Sequence, residues 1–244
     1  MNLNSIKVKL LKAWYKHKSK TSHKAFCKFL RLCGFQIGDN VFMHPQSFFI
    51  DYSRPSLISI GNNCYFNKNV TILTHDWVTN LFLQTGRDFV NSSGKVSIGN
   101  NVNFGQNVTI LKGVTIGDNC FIGIGSVVTH DIPANSVAAG CPCKVICSLE
   151  EYYQKRKKQG LAEAVEYVNC FIERFGRQPE PHEMTEEFIY FVNADNVEEY
   201  EKMGVPVRKQ LGDSYASFLK LPPPPFQSFN EFIAYCVSHK NYES

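Results

Sequence analysis

A six-residue period limits what this chain can fold into more than any other feature. Residues 98–133 divide into IGNNVN, FGQNVT, ILKGVT, IGDNCF, IGIGSV and VTHDIP. The unit heads are Ile98, Phe104, Ile110, Ile116, Ile122 and Val128, and the fifth places are Val102, Val108, Val114, Cys120, Ser126 and Ile132. A second run in the same phase, IGNNCY, FNKNVT and ILTHDW, starts at Ile60, and a weaker one starts at Ile37. A period of six fits neither a 3.6-residue helix nor a simple alternating strand. Each unit reads as a short strand followed by a corner, with the head and the fifth place facing inward. Gly and Asn at the corners tolerate positive φ. Three units close one triangular coil. A lone coil cannot bury its heads, but stacked coils can, and their backbone groups pair between coils.

The frame breaks once. Heads at 60, 66 and 72 predict 78, yet the phase resumes at 98, so residues 78–95 form an extruded loop, and long loops in compact repeats usually carry function. The last unit before the break, ILTHDW, holds His75 in an outward fourth place. Histidine is the common general base near neutral pH. Stacking unit 49–54 beneath unit 72–77 predicts Asp51 under Thr74 and Tyr52 under His75. Asp76 is a poor partner for His75, because neighbours in extended chain point to opposite faces.

Charge divides the chain into three regions. Residues 1–31 hold nine Lys or Arg and no acid, residues 150–244 hold sixteen of the 22 acids, and the middle is nearly uncharged. The expected domains are a basic helical segment at 1–34, the repeat domain at 35–148 and a helical extension at 149–244. In the first, Leu3, Ile6, Leu10 and Trp14 share a stripe, with Phe26, Phe29 and Cys33 on another. The segment has three readings: a cap on the coil, a contact with an anionic membrane surface, or a site for an anionic substrate. In the extension, helices are expected at 149–176, about 185–203 and 229–238. The last opens with the capping box of Ser228 and Glu231, after a proline spacer at 222–225.

A hydrophobic content of 43% with 20% charge is that of a globular chain. No apolar run approaches the ~20 residues that span a bilayer, and no secretion signal is expected from the N-terminal residues, which show no apolar core before a small-residue cleavage site. Nine cysteines among buried-looking positions then point to reduced thiols and a cytoplasmic protein, at the inner membrane surface if the basic segment touches lipid. Cys141, Cys143 and Cys147 lack the paired spacing or flanking His of a zinc site, so no metal is expected. Nothing marks a nucleic-acid module.

The run IGNNVNFGQNVTILKGVTIGDNCFIGIGSVVTHDIPANSVAAGCPCKVI resembles the hexapeptide-repeat acyltransferases, nearest to the galactoside, maltose and polysaccharide O-acetyltransferases, over about residues 35–147. The resemblance implies a mainly β fold, a left-handed parallel β-helix with the two helical flanks attached. It also implies a homotrimer with acetyl-CoA bound between neighbouring subunits. His75 matches the catalytic His before the extruded loop. Asp51 either orients the imidazole or holds the acceptor, while His44 and Tyr52 fall at acceptor positions where the family carries Asn and Asp. Arg87 and Asp88 are candidate lid contacts. Gly105, Gln106, Gly123 and Ile124 match the contacts to the pantetheine arm, though Ile124 replaces the usual Ala. Thr129, His130 and Lys144 match the phosphate and adenine end, where the family prefers Thr, Lys and Arg. The expected activity is acetyl-CoA-dependent O-acetylation of a sugar hydroxyl, with a surface polysaccharide or capsule precursor as the expected acceptor. N-acetylation of an amino sugar or small amine, and a catalytically idle trimeric scaffold, stand as alternatives.

Overall fold

The computed structural model describes residues 3–240, with side chains from residue 9 onward. Two compact units are present, residues 1–153 and 154–244. The first begins with helices α1 (Leu3–Lys18) and α2 (His23–Cys33). Leu3 and Ile6 of the expected apolar stripe lie outside the described side chains. Ser22 caps α2 by accepting from the Ala25 amide, and Gly34 ends it at φ 101°. α2 buries Ala25, Phe26, Cys27 and Leu30, the last three in the core of the repeat. Arg31 adds a bond from Nε to the Ile37 carbonyl at 2.8 Å. The apolar end of the repeat is thereby covered.

Twelve short strands follow: β1 (Gln36–Ile37), β2 (Phe42–Met43), β3 (Phe49–Ile50), β4 (Ile58–Ile60), β5 (Tyr65–Phe66), β6 (Thr71–Ile72), β7 (Val96–Ile98), β8 (Asn103–Phe104), β9 (Thr109–Ile110), β10 (Thr115–Ile116), β11 (Phe121–Ile122) and β12 (Val127–Val128). Every third strand joins the same sheet. The orders are β1-β4-β7-β10, β2-β5-β8-β11 and β3-β6-β9-β12, parallel throughout. β13 (Ser136–Ala139) extends the second face in parallel, and β14 (Lys144–Ser148) closes it antiparallel. All heads and fifth places from Ile98 to Ile132 are buried. Full burial of one such aliphatic side chain stabilises by roughly 1.5–3 kcal/mol. Phe66 and Phe104 stack on adjacent coils, with ring centroids 4.5 Å apart.

The corners divide their work between two residue types. Every described non-glycine residue with positive φ is an Asn: 40, 63, 69, 101, 107, 119 and 135. Their amides form a ladder between coils, Asn63 to Asn101 at 3.0 Å, Asn101 to Asn119 at 2.8 Å and Asn119 to Asn135 at 2.9 Å. The glycine of each IG pair serves a different need, close approach. A Cβ on Gly61 would lie 2.5 Å from the Gly99 carbonyl oxygen.

The fold expectation needs correction. Helix makes up 40% of the chain and strand 16%, and the sheets are mixed parallel and antiparallel. The chain is therefore predominantly helical, rather than a mainly β left-handed β-helix. Strands of two residues give most of each coil to corners, whereas the flanks hold long helices. The expected register also slips by one residue. Met43 and Ile50 are the buried heads, seven residues apart, because the His44–Ser47 turn takes an extra residue. Phe49 faces outward, and Ile50 pairs with Ile72.

The second unit contains most of α4 (Leu149–Phe175), followed by α5 (Val197–Lys202), α6 (Val207–Leu211), α7 (Tyr215–Phe218) and α8 (Phe229–Ser238). Ser148 and Glu151 cap α4 reciprocally, at 3.1 and 2.8 Å. Val165, Val168, Phe188, Phe191, Phe229 and Phe232 belong to its core. The helix expected at 185–203 is broken, because the Asn193 and Asn196 side chains cap backbone amides between a 3-10 turn at Glu187–Tyr190 and α5.

Candidate active site

Regular pairing between coils runs as far as Leu73, whose amide donates to the Ile110 carbonyl at 2.9 Å. In regular units the fourth place is an Asn or Gly at positive φ, as at Asn101, Asn107, Gly113 and Gly125. His75 holds that place without positive φ, so the chain does not turn there. It runs on and pairs with its own return limb. The Gly94 amide donates to the Thr74 carbonyl at 2.9 Å, and His75 and Ser93 form an antiparallel bridge. Between these limbs, the segment expected as a plain loop contains a short helix, α3 (Val78–Gln84).

The base of the loop is pinned by Asp76. Its carboxylate accepts from the Lys112 ammonium, from Ser92 Oγ at 2.7 Å and from the Val78 amide at 3.1 Å. Those bonds, the one from Lys112 first, hold the carboxyl at about 2. Lys112 comes from the next coil, so the loop is tied to the stack as well as to itself.

Asp51 follows β3 and is buried. Four donors converge on its carboxylate. Ser53 donates its amide at 2.9 Å and its hydroxyl at 2.6 Å to Oδ1; Thr74 Oγ1 and His75 Nδ1, the latter at 2.6 Å, reach Oδ2. Burial alone would disfavour the charge. The hydrogen bonds outweigh it and hold the carboxyl well below the usual carboxylate range. An ionised carboxylate only accepts, so the proton of a neutral His75 sits on Nδ1. Nε2 is left with its lone pair, and Trp77 lies edge-on to the ring at 5.8 Å. A cavity of about 380 Å³ opens beside the imidazole, lined by Ser53, Arg54, His75, Asp76, Trp77, Thr79 and residues 89–92. The arrangement sets an imidazole, fixed through Nδ1, in the wall of a small polar-aromatic cleft.

The structure brings Asp51 and His75 together and separates the other acceptor candidates from the cavity wall. Because of the one-residue slip, Asp51 lies level with Leu73 rather than under Thr74, and Tyr52 is not under His75. The Tyr52 ring instead packs against Phe29 and Phe35, at 6.3 and 5.7 Å. His44 packs edge-on to Phe42 at 4.9 Å. Arg87 is exposed and bonds Thr85 Oγ1 at 2.6 Å, and Asp88 is exposed beside it. Sequence reasoning missed Ser53, Arg54, Trp77 and Lys112. Lys112 carried one usable signal, a lysine in an otherwise almost uncharged repeat.

Of the residues matched to the cofactor, Gly105, Gln106, Gly123 and Ile124 follow strands of the second face, Lys144 opens β14 on that face, and Thr129 and His130 follow β12 of the third. Gly105 sits against the next coil, where a Cβ would meet the Ile124 amide nitrogen at 2.6 Å. The Gln106 carbonyl accepts from Gly125 at 2.8 Å, leaving the Gln106 side chain exposed. A Cβ on Gly123 would meet Ala139 at 2.7 Å. Ile124 is exposed. Thr129 Oγ1 and His130 Nδ1 are 2.8 Å apart, and Lys144 opens β14, exposed.

Comparison with known proteins places these features in a class. A family model described as the hexapeptide repeat of succinyl-transferase matches residues 95–130. The galactoside O-acetyltransferase of Escherichia coli (strain K12) is 41% identical over 144 residues, 50% of this chain and 70% of that protein. A solved maltose O-acetyltransferase from Clostridium difficile 630 is 30% identical, covering 58% of this chain and 83% of that one, with a TM-score of 0.40. A solved galactoside acetyltransferase in complex with coenzyme A is also 30% identical, covering 61% and 84%, with a TM-score of 0.36. The chain belongs to the hexapeptide-repeat acetyltransferases and is an acyltransferase enzyme.

Proposed function

We propose that this acetyltransferase moves the acetyl group of acetyl-CoA to a sugar hydroxyl, with His75 as general base. Acetyl-CoA as the donor follows from membership of the family. The observation that carries the reading is the Asp51–His75 pair at 2.6 Å. It fixes the tautomer in which Nε2 can take a proton. As the hydroxyl oxygen attacks the thioester carbonyl, Nε2 accepts the hydroxyl proton, and Asp51 stabilises the imidazolium that forms. Collapse of the tetrahedral intermediate expels the CoA sulfur, which takes that proton back from His75. Backbone amides at the site stabilise the oxyanion. A positioned base contributes roughly 10²–10⁴ in rate. Among the described residues no cysteine lines the cavity, and the hydroxyls of its Ser53 and Ser92 donate to Asp51 and Asp76 rather than to His75, which supports direct transfer in a ternary complex over an acyl-enzyme.

The galactoside and maltose acceptors named for the relatives support a sugar acceptor here, and a surface polysaccharide or capsule precursor is the form we assign to it. Gly105, Gln106, Gly123 and Ile124 would carry the pantetheine arm, and Thr129, His130 and Lys144 the phosphates and adenine. Leu81 and Leu83 are exposed on the loop and do not line the cavity, which supports cover by a neighbouring subunit in a homotrimer. Acetyl-CoA turnover against a panel of sugars and amines tests the reading. Acetyl esters on sugar hydroxyls are expected. Acetylation of amines alone would replace it with N-acetylation.

A further inference from the structure

The charges around the cavity are balanced with one exception. Asp51 accepts from four donors, and Asp76 is neutralised by Lys112. Arg54 has no such partner. Among the described residues no carboxylate lies in ion-pair range of its guanidinium, and its one hydrogen bond is Nη1 to Ser53 Oγ at 3.3 Å. It is nevertheless half-buried and lines the same cavity as His75. A guanidinium offers five donors in a planar fork suited to a carboxylate.

Two further features lie beside it. Trp77 and Phe89 line the cavity with large exposed rings, apolar surface suited to the face of a sugar. Thr79, also in the lining, is buried, and its hydroxyl has no partner among the described residues. Arg54 is also tied to the base. Ser53 Oγ accepts from Arg54 while donating to Asp51 Oδ1, so one four-residue segment positions both the guanidinium and the partner of His75.

We infer that the acceptor is an acidic sugar, whose carboxylate is gripped by Arg54 while its hydroxyl is presented to His75. This rests on the sugar O-acetylation reading above. Arg54 touches the acceptor and not the reacting atoms, so it determines specificity.

Two experiments on the full chain test the inference. In the first, kcat/KM is compared for a glycoside of glucuronic or sialic acid, the matching neutral glycoside and a sugar phosphate, in wild type, Arg54→Gln and Arg54→Lys. The wild type is expected to favour the sugar acid. Arg54→Gln should lower the acid-to-neutral selectivity about tenfold or more, mainly through KM, since hydrogen bonds to charged groups are the stronger kind. Arg54→Lys should recover part of it, because charge returns without the fork. Equal use of neutral sugars, preference for the phosphate, or an equal loss on all acceptors would each overturn the inference. The second experiment measures binding of the sugar acid alone by calorimetry, with the same variants. If no sugar is acetylated, O-acetylation of sugars is wrong, yet the calorimetry still decides Arg54. Weakening of about tenfold in Arg54→Gln upholds the anion site, and unchanged affinity removes it. A change in acetyl-CoA affinity instead would assign Arg54 to the donor and overturn its place on the acceptor.

Discussion

Replacing Asp51 with Asn changes little in volume and should nearly silence the enzyme. All four groups on the Asp51 carboxylate are donors. An Asn must turn its NH2 toward one side. The Ser53 amide is a fixed donor, so the carbonyl stays there and the NH2 faces Thr74 and His75. The Thr74 hydroxyl can rotate and accept. His75 can accept only by surrendering its Nδ1 proton, which places the proton on Nε2, the atom that must act as base. The stabilising charge for the imidazolium is lost as well. The same swap in a Ser-His-Asp triad costs about 10⁴ in kcat by this tautomer effect. For a general base worth roughly 10²–10⁴, the expected loss in kcat is of that size, about 2.7–5.5 kcal/mol of transition-state stabilisation. Fold stability should fall by about 1–3 kcal/mol, because the charge that four donors stabilise is removed while Ser53, Thr74 and His75 all keep a hydrogen bond to the Asn side chain. The assay is free-thiol release from acetyl-CoA at saturating acceptor, with calorimetry of CoA binding as control. A D51N variant with wild-type kcat would mean that the Asp51 charge does not set the His75 tautomer.

Two other outcomes follow from the same contacts. Gly61→Ala should lower the melting temperature, since its Cβ would press within 2.5 Å of the Gly99 carbonyl oxygen; overpacking of this kind costs about 1–3 kcal/mol, and an unchanged melt would contradict the close-approach role. The Asp76 carboxyl, held at about 2, should titrate well below the ~3.9 of an unfolded Asp when followed by carbon NMR. A depressed folded value means that the contribution of the Lys112 clamp is full above the unfolded value and is lost as pH falls through about 2, so Lys112→Met should bring the titration midpoint back up.

Particular residues show how far the sequence could be read. The repeat from Ile98 to Ile132 was legible because every head and fifth place has one inward solution, and cysteines at 64 and 120 fill fifth places as small apolar residues. The first coil was not, because Phe48, Phe49 and Ile50 offer two frames. Only the turn at His44–Ser47 chooses between them, burying the first and third. That single residue moved Tyr52 away from the site. Asp51 still reaches His75 because its side chain, rather than its register position, makes the contact. Arg54 and Lys112 carried no periodic signal, since outward residues of a coil obey no pattern of burial. The excess of helix over strand escaped for another reason: periodicity marks where the core lies, whereas the length of each strand depends on how early the corners turn.

Whether an imidazole base drives the transfer is decided by replacing His75 with Ala and following acetyl transfer from acetyl-CoA to a sugar acceptor, with CoA affinity measured alongside. Turnover should fall by at least about a hundredfold, with CoA affinity retained. Turnover at the wild-type rate would show that His75 is not the base and that the hydroxyl proton leaves by another route.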